Sequence, residues 1–117
     1  MNLYYAHFIG IYNTKQEQRD MEMLQNIFPN YIIINPNIEE HQIGCKENGM
    51  KYFEDIVKDC DLLVFRGCVN GKIPAGVHKE VQCAKNNNIP IIELPCLIDR
   101  VMSVDDTREM LMELGVR

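Results

Sequence analysis

The feature that most constrains this chain is an alternation of short runs of consecutive apolar residues with longer segments whose apolar residues fall on one helical face. A run that is apolar at every position, such as YIII or LLVF, cannot be a strand with one wet face. It must be covered on both sides, and in an alternating series the cover is supplied by the intervening helices. Leu3 to Ile9 reads as the first strand. Thr14-x-x-Glu17 has the spacing of a capping box and opens a helix to about Ile27, with Met21, Leu24, Ile27 and Phe28 on one face. Pro29 and Asn30 end it, Tyr31 to Ile34 reads as the second strand, and Asn35-Pro36-Asn37 breaks that strand. The polar segment to Asn48 reads as a loop, followed by a short helix over Met50 to Lys58 and a third strand over Leu62 to Phe65. A helix is expected over Pro74 to Asn87, a fourth strand over Pro90 to Leu94, and a last helix capped by Ser103 and ended at Gly115.

Strands that alternate with helices join through right-handed crossovers into a parallel sheet. The expected architecture is a three-layer, Rossmann-like (flavodoxin-like) α/β fold, with a parallel sheet of four or five strands flanked by helices. With 117 residues, 46% of them hydrophobic, there is material for one core and not two, so 1–117 reads as a single domain. A net charge of -5 argues against a grip on a nucleic acid polymer, which depends on many Lys and Arg contacts to phosphate. The apolar runs are too short to span a bilayer, and the opening residues lack the pattern of a secretory signal, so a cytoplasmic location with no membrane partner is expected. Cys45, Cys60, Cys68, Cys83 and Cys96 make an odd count without a C-x-x-C pair, and His7, His41 and His78 share no ligand spacing. Neither a disulfide framework nor a metal site nor a cofactor is indicated, and the cysteines read as small hydrophobic residues.

Ligands of open parallel sheets bind beyond the carboxyl ends of the strands. That rule brings Ala6 to Tyr12, Asn35 to His41, Arg66 to Gly76 and Glu93 to Leu97 to one end of the sheet. The richest of these stretches, RGCVNGKIPAGVHKE, leaves a strand, crosses a glycine-rich loop and enters a helix. Gly67, Gly71 and Gly76 allow close backbone approach, and the first amides of the helix are suited to an anion or an oxygen-rich sugar. Side chains lean toward the helix start, so Glu80 projects over the turn at Gly76, where the positive helix end favours an ionised carboxylate. An ionised carboxylate opposite a sugar is what glycosidic chemistry uses. The same spacing also fits a bland reading, in which Gly76 serves helix packing and Glu80 is a solvated residue near Lys79. Arg66 and Lys72 read either as phosphate contacts, favouring a nucleotide over a nucleoside, or as solvated loop charges.

The opening LYYAHFIG, the asparagine in IIINPN, the strand CDLLVF and the run GKIPAGVHKEVQCAKNNNIPIIEL together resemble the nucleoside 2-deoxyribosyltransferase superfamily, which includes the deoxynucleoside monophosphate N-glycosidases. The resemblance covers Leu3 to Leu94. Its most specific element is Gly76-x-x-x-Glu80 followed by Ala84, where the family carries its nucleophilic glutamate, and it implies that Glu80 attacks the anomeric carbon. Tyr5 and Ala6 match the first-strand loop that lies beside sugar and base, Asn35 matches the asparagine after the second strand, and Asp61 matches an aspartate at the head of the third. The chain departs from the pattern at His78 and His7, where the family has glycines. It also lacks the loop aspartate that holds sugar hydroxyls in transferases, offering Asn70, Lys72 and Pro74 instead. The site expected on these grounds comprises Glu80 as catalytic residue, with Tyr5, Ala6, His7, Tyr12, Asn35, Arg66, Gly67, Lys72 and Gly76 around a small nucleotide or nucleoside. The resemblance further implies a homo-oligomer in which a neighbour completes the pocket. A binding protein of the same fold and an NAD-like dinucleotide glycohydrolase are the alternative readings.

Overall fold

The computed structural model describes residues 1–49, 51–68, 71–95 and 102–116. Its elements run β1 (Asn2–Ala6), a 3₁₀ turn (Ile9–Ile11), α1 (Lys15–Ile27), β2 (Ile32–Ile34), α2 (Glu39–Asn48), α3 (Lys51–Lys58), β3 (Leu62–Arg66), α4 (Ala75–Asn86), β4 (Ile91–Leu94) and α5 (Val104–Glu113). Among the described residues the strands form one sheet of four, all parallel, in the order β2-β1-β3-β4. This is the flavodoxin-like topology expected from the alternation. Met50, Asn70, Cys96 and Leu97, which enter the expectations above, lie outside the described residues.

The strands form where they do because both of their faces are covered. Tyr4, Ala6, Leu63 and Phe65 point to one side and pack with Phe53 and Val57 of α3 and Val77, Cys83 and Ala84 of α4. Leu3, Tyr5, Leu62, Val64 and Leu94 point to the other, where Leu24 of α1 joins them. Neighbouring residues of β1 therefore serve different cores, as the period of two requires. Cys60 and Cys83 are buried and behave as the small hydrophobic residues they were expected to be, with Cys60's thiol pushed up to about 11, first by burial and then by Asp61 and Asp59.

Both expected caps are present: Thr14 accepts from the Glu17 amide at 3.4 Å and Ser103 from the Asp106 amide at 3.0 Å. Three expectations need correction. The first strand ends at Ala6 and not Ile9, because its last ladder partner is Phe65 and the chain then tightens into the 3₁₀ turn, with the Ile11 amide on the Phe8 carbonyl at 3.0 Å. The polar segment before Asn48 is helix α2, not a loop. None of its residues is buried, so no apolar stripe marks it; its acids Glu39 and Glu40 at the start and Lys46 at the end suit the helix dipole. Ile27 belongs not to the buried face of α1 but to its exposed last turn. No helix among the described residues is long and apolar enough to cross a membrane.

Candidate active site

At the carboxyl ends of the strands lies a cavity of about 300 Å³. His7, Phe8, Ile9 and Tyr12 from the end of β1 form one wall, Cys45 of α2 and Phe53 of α3 a second, and Pro74 to Val77 with Glu80 of α4 the third. Helix α4 begins with Pro74 as N-cap, a residue that makes no side-chain cap bond. The first turn of a helix carries amides that its own backbone does not satisfy, and here that turn lies at the cavity wall.

Glu80 is 6% exposed, and its Oε2 atom is buried without a hydrogen-bond partner of good geometry among the described residues. The Tyr4 hydroxyl, fully buried, is in the same position. The two groups nevertheless act on each other. Burial raises the Glu80 pKa to about 7, against a lowering by the Tyr4 hydroxyl and a further raising by the Glu54 carboxylate. Burial likewise pushes the Tyr4 phenol far up, with Glu80 next among the causes and Tyr12 after it. Tyr12 is raised by burial first and then by Glu80 and Glu17. Glu80, Tyr4 and Tyr12 thus form one electrostatic cluster at the cavity. The expected ionised state of Glu80 is corrected here: it stands in the second turn of α4, past the reach of the helix end, and loss of water outweighs the dipole.

The His7 wall is built by a polar network. Its ring stacks on Tyr5 with centroids 3.8 Å apart and planes within 5°. Nδ1 donates to the Tyr5 carbonyl at 3.0 Å, and Nε2 lies 2.6 Å from Glu17 Oε2. Although burial pushes the Glu17 carboxyl up, hydrogen bonds from His7, Asn37 and the Asn13 amide hold it below its ordinary value. The Asn37 amide nitrogen completes the network, donating to both Glu17 oxygens at 2.9 and 3.0 Å.

The expected site residues divide by sheet face. Glu80, Gly76, His7 and Tyr12 come together at the cavity, and Ala6 lies buried in the core beneath α4 without lining it. Tyr5 points to the opposite face, where its hydroxyl donates to Asp20. Arg66 does the same: Nε and Nη2 donate to the Asp20 carboxylate at 2.5 and 2.7 Å, and Nη1 to the Pro95 carbonyl at 2.6 Å. Its guanidinium is therefore a buried structural group and not a phosphate contact, because the last residue of β3 turns toward α1. Asn35 closes an Asx turn by accepting from the Asn37 amide at 2.8 Å. At Gly67 a β-carbon would stand 3.3 Å from the Lys72 carbonyl, so this glycine makes room for its own loop. Lys72 is exposed and does not line the cavity. His78 is exposed on α4, and Asp61 sits at the far end of the sheet, accepting from the Asn2 amide at 2.7 Å.

Two site residues escaped the sequence reading. Tyr4 lies two residues before Ala6 and so on the face that α4 covers. Asn37 carried a readable signal in the Asn-Pro-Asn turn after β2. Among the described residues no group of three His, Cys, Asp or Glu side chains is placed to hold a metal ion. No protein-family model matches the chain, and neither a curated protein nor a solved structure is found to be similar to it.

Proposed function

We propose that this chain cleaves, or transfers across, the N-glycosidic bond of a small nucleotide or nucleoside, with the Glu80 carboxylate as nucleophile. The observation that carries the proposal is a nearly buried carboxylate with one oxygen unpartnered among the described residues, set against a cavity at the carboxyl ends of a parallel sheet. The resemblance to the nucleoside 2-deoxyribosyltransferase superfamily, read on Gly76-x-x-x-Glu80, supports the same residue. In the reaction, a Glu80 oxygen bonds to the anomeric carbon while the carbon–nitrogen bond breaks, and the base leaves with the bonding pair and takes up a proton. Water, or a second base, then attacks the same carbon and restores the carboxylate.

Each part of the cavity has a task in this reading. The aromatic and aliphatic walls formed by Phe8, Ile9 and Phe53 accept the base, and the first-turn amides of α4 receive an oxygen of the sugar or phosphate. The Tyr4 hydroxyl donates to Glu80 when the carboxylate forms, which steadies the nucleophile and offsets part of its burial. With a pKa of about 7, roughly half of Glu80 is ionised at neutral pH, so turnover should rise with pH through that value. The substrate class fits a cytoplasmic enzyme without cofactor or metal.

A second reading is a nucleotide-binding protein that senses or sequesters its ligand. The raised pKa favours it, since a neutral Glu80 is a hydrogen-bond donor and a poor nucleophile. Incubation with deoxynucleoside monophosphates, ribonucleotides, nucleosides and NAD, followed by chromatography for free base, separates the readings. Release of base supports the enzyme. Ligand-induced melting shifts without any free base support the binder and refute the catalytic proposal.

A further inference from the structure

A neutral nucleobase leaves a glycosidic bond as an anion unless an acid protonates it, so the side chains at the cavity decide which bases can depart. Among the described residues that line it, the titratable ones are His7, Tyr12, Cys45 and Glu80. The His7 side chain is fully buried, with Nδ1 on the Tyr5 carbonyl at 3.0 Å and Nε2 2.6 Å from Glu17, so neither ring nitrogen is left for a ligand. Burial first, then Glu80 and Glu17, push the Tyr12 phenol up, and it holds its proton. The Cys45 thiol is a weak hydrogen-bond donor, and Glu80 is engaged as the nucleophile. No side chain described at the cavity is thus suited to protonate a departing base.

The same cavity is suited to positive charge. Its described lining includes no lysine or arginine, whereas Glu80 brings a buried oxygen that has no partner among the described residues. Glu54 of α3 adds a second carboxylate that acts on Glu80, and the Tyr4 hydroxyl of β1 acts on it as well. Of the other elements packed on α4, β3 presents Leu63 and Phe65, and the one charged residue of β4, Glu93, is exposed. His78 and Lys79 of α4 itself are exposed and line a separate cleft beside α3. Phe8, Tyr12 and Phe53 bring three aromatic rings to the walls, and the face of such a ring attracts a cation. The first turn of α4 is left for oxygens of the sugar or phosphate.

We propose, within the N-glycoside reading of the site on which this rests, that the substrate carries a fixed positive charge on its base, a pyridinium or a ring-alkylated purine, bound beside the Glu80 carboxylate. As a Glu80 oxygen bonds to the anomeric carbon, the carbon–nitrogen bond breaks and its electron pair cancels the charge of the ring. The base departs neutral and takes up no proton. Water then attacks the same carbon, gives its proton to solvent and releases the carboxylate. The cation also removes the obstacle that burial sets. An opposite charge within about 6 Å lowers a carboxyl pKa by about 1 to 3, so Glu80, held at about 7 in the free chain, ionises almost fully at neutral pH when the cation binds.

Calorimetry, and chromatography for free base, on the full chain compare two permanent cations, nicotinamide riboside and 7-methyladenosine, with their neutral counterparts, reduced nicotinamide riboside and adenosine, each also as the 2'-deoxyriboside. At about pH 7 the cations are expected to bind at least about fivefold more tightly than the neutral forms and to release about 0.4 of a proton, read from two buffers of different ionisation heat. Their affinity is expected to rise about sevenfold between about pH 5.5 and pH 8, as follows from a carboxyl pKa lowered by about 1. Glu80→Gln is expected to lose that advantage and the proton release while binding the neutral forms as before. Free base is expected at least about tenfold faster from the cations, and whichever of the two is cleaved identifies the ring system. Equal affinity for cation and neutral form, or a proton release that survives in Glu80→Gln, would overturn the proposal. Base released from adenosine as fast as from 7-methyladenosine would also overturn it and leave the N-glycosidase reading standing. Preferential binding and proton release without any free base would keep the cationic ligand and refute the catalytic reading.

Discussion

Glu80→Gln isolates the energetic consequence of burying a carboxyl beside the cavity. The amide keeps the shape of the protonated acid and cannot ionise, so the variant reports the stability that the wild-type loses to titration. The Glu80 pKa is about 7 in the folded chain against 4.5 ordinarily, so the folded state holds this proton more tightly than the unfolded state does. The sign follows from that order. The stabilising contribution of the proton is fully present below about pH 4.5, is lost as pH rises toward about 7, and is gone above it. The whole difference corresponds to about 3 kcal/mol, of which about 2 to 3 kcal/mol falls between about pH 5 and pH 8.5. Urea unfolding of both proteins across that range is the assay. Other groups titrate alike in the two proteins and cancel, so the stability of Glu80→Gln relative to wild-type is expected to grow by that amount as pH rises. A difference that stays flat with pH would show that Glu80 titrates normally and is hydrated, and would remove the reasoning that places it in a dry pocket.

Other outcomes follow from the same geometry. Tyr4→Phe removes the donor that lowers the Glu80 pKa, so the acid limb of the pH–rate profile should move to higher pH, with stability changing by no more than about 1 kcal/mol because the hydroxyl makes no well-formed bond; an unmoved limb would separate Tyr4 from the site. Arg66→Met should cost about 3 to 5 kcal/mol in urea unfolding, since it strands the buried Asp20 carboxylate, whereas a phosphate-binding arginine would affect ligand affinity alone. Gly76→Val should weaken nucleotide binding at least about tenfold by calorimetry while changing stability by less than about 1 kcal/mol, because position 76 lines the cavity on the first turn of a helix that tolerates valine.

The sheet was legible because its strands are continuous apolar runs, and only a doubly covered parallel sheet buries such runs. Helix α2 was not, since it buries nothing and leaves no periodic trace. At the site, Glu80 and Gly76 could be read from their four-residue spacing on one helix. The assignment of Tyr5 and Arg66 failed for a different reason: adjacent strand residues face opposite layers, and which layer holds α4 depends on the side chosen by each crossover. That choice put Tyr4 with Glu80 and sent Tyr5 and Arg66 to Asp20. The state of Glu80 was equally hidden, because burial is a property of the packed helix and not of the sequence around it.

The most direct test of the central claim compares free-base release by wild-type and Glu80→Gln on the nucleotide that wild-type cleaves fastest, with ligand affinity measured in parallel. The account predicts that the variant binds within about tenfold of wild-type but releases no base, because the amide retains the shape of the carboxyl and lacks its nucleophilic charge. Base release by the variant at the wild-type rate would contradict it.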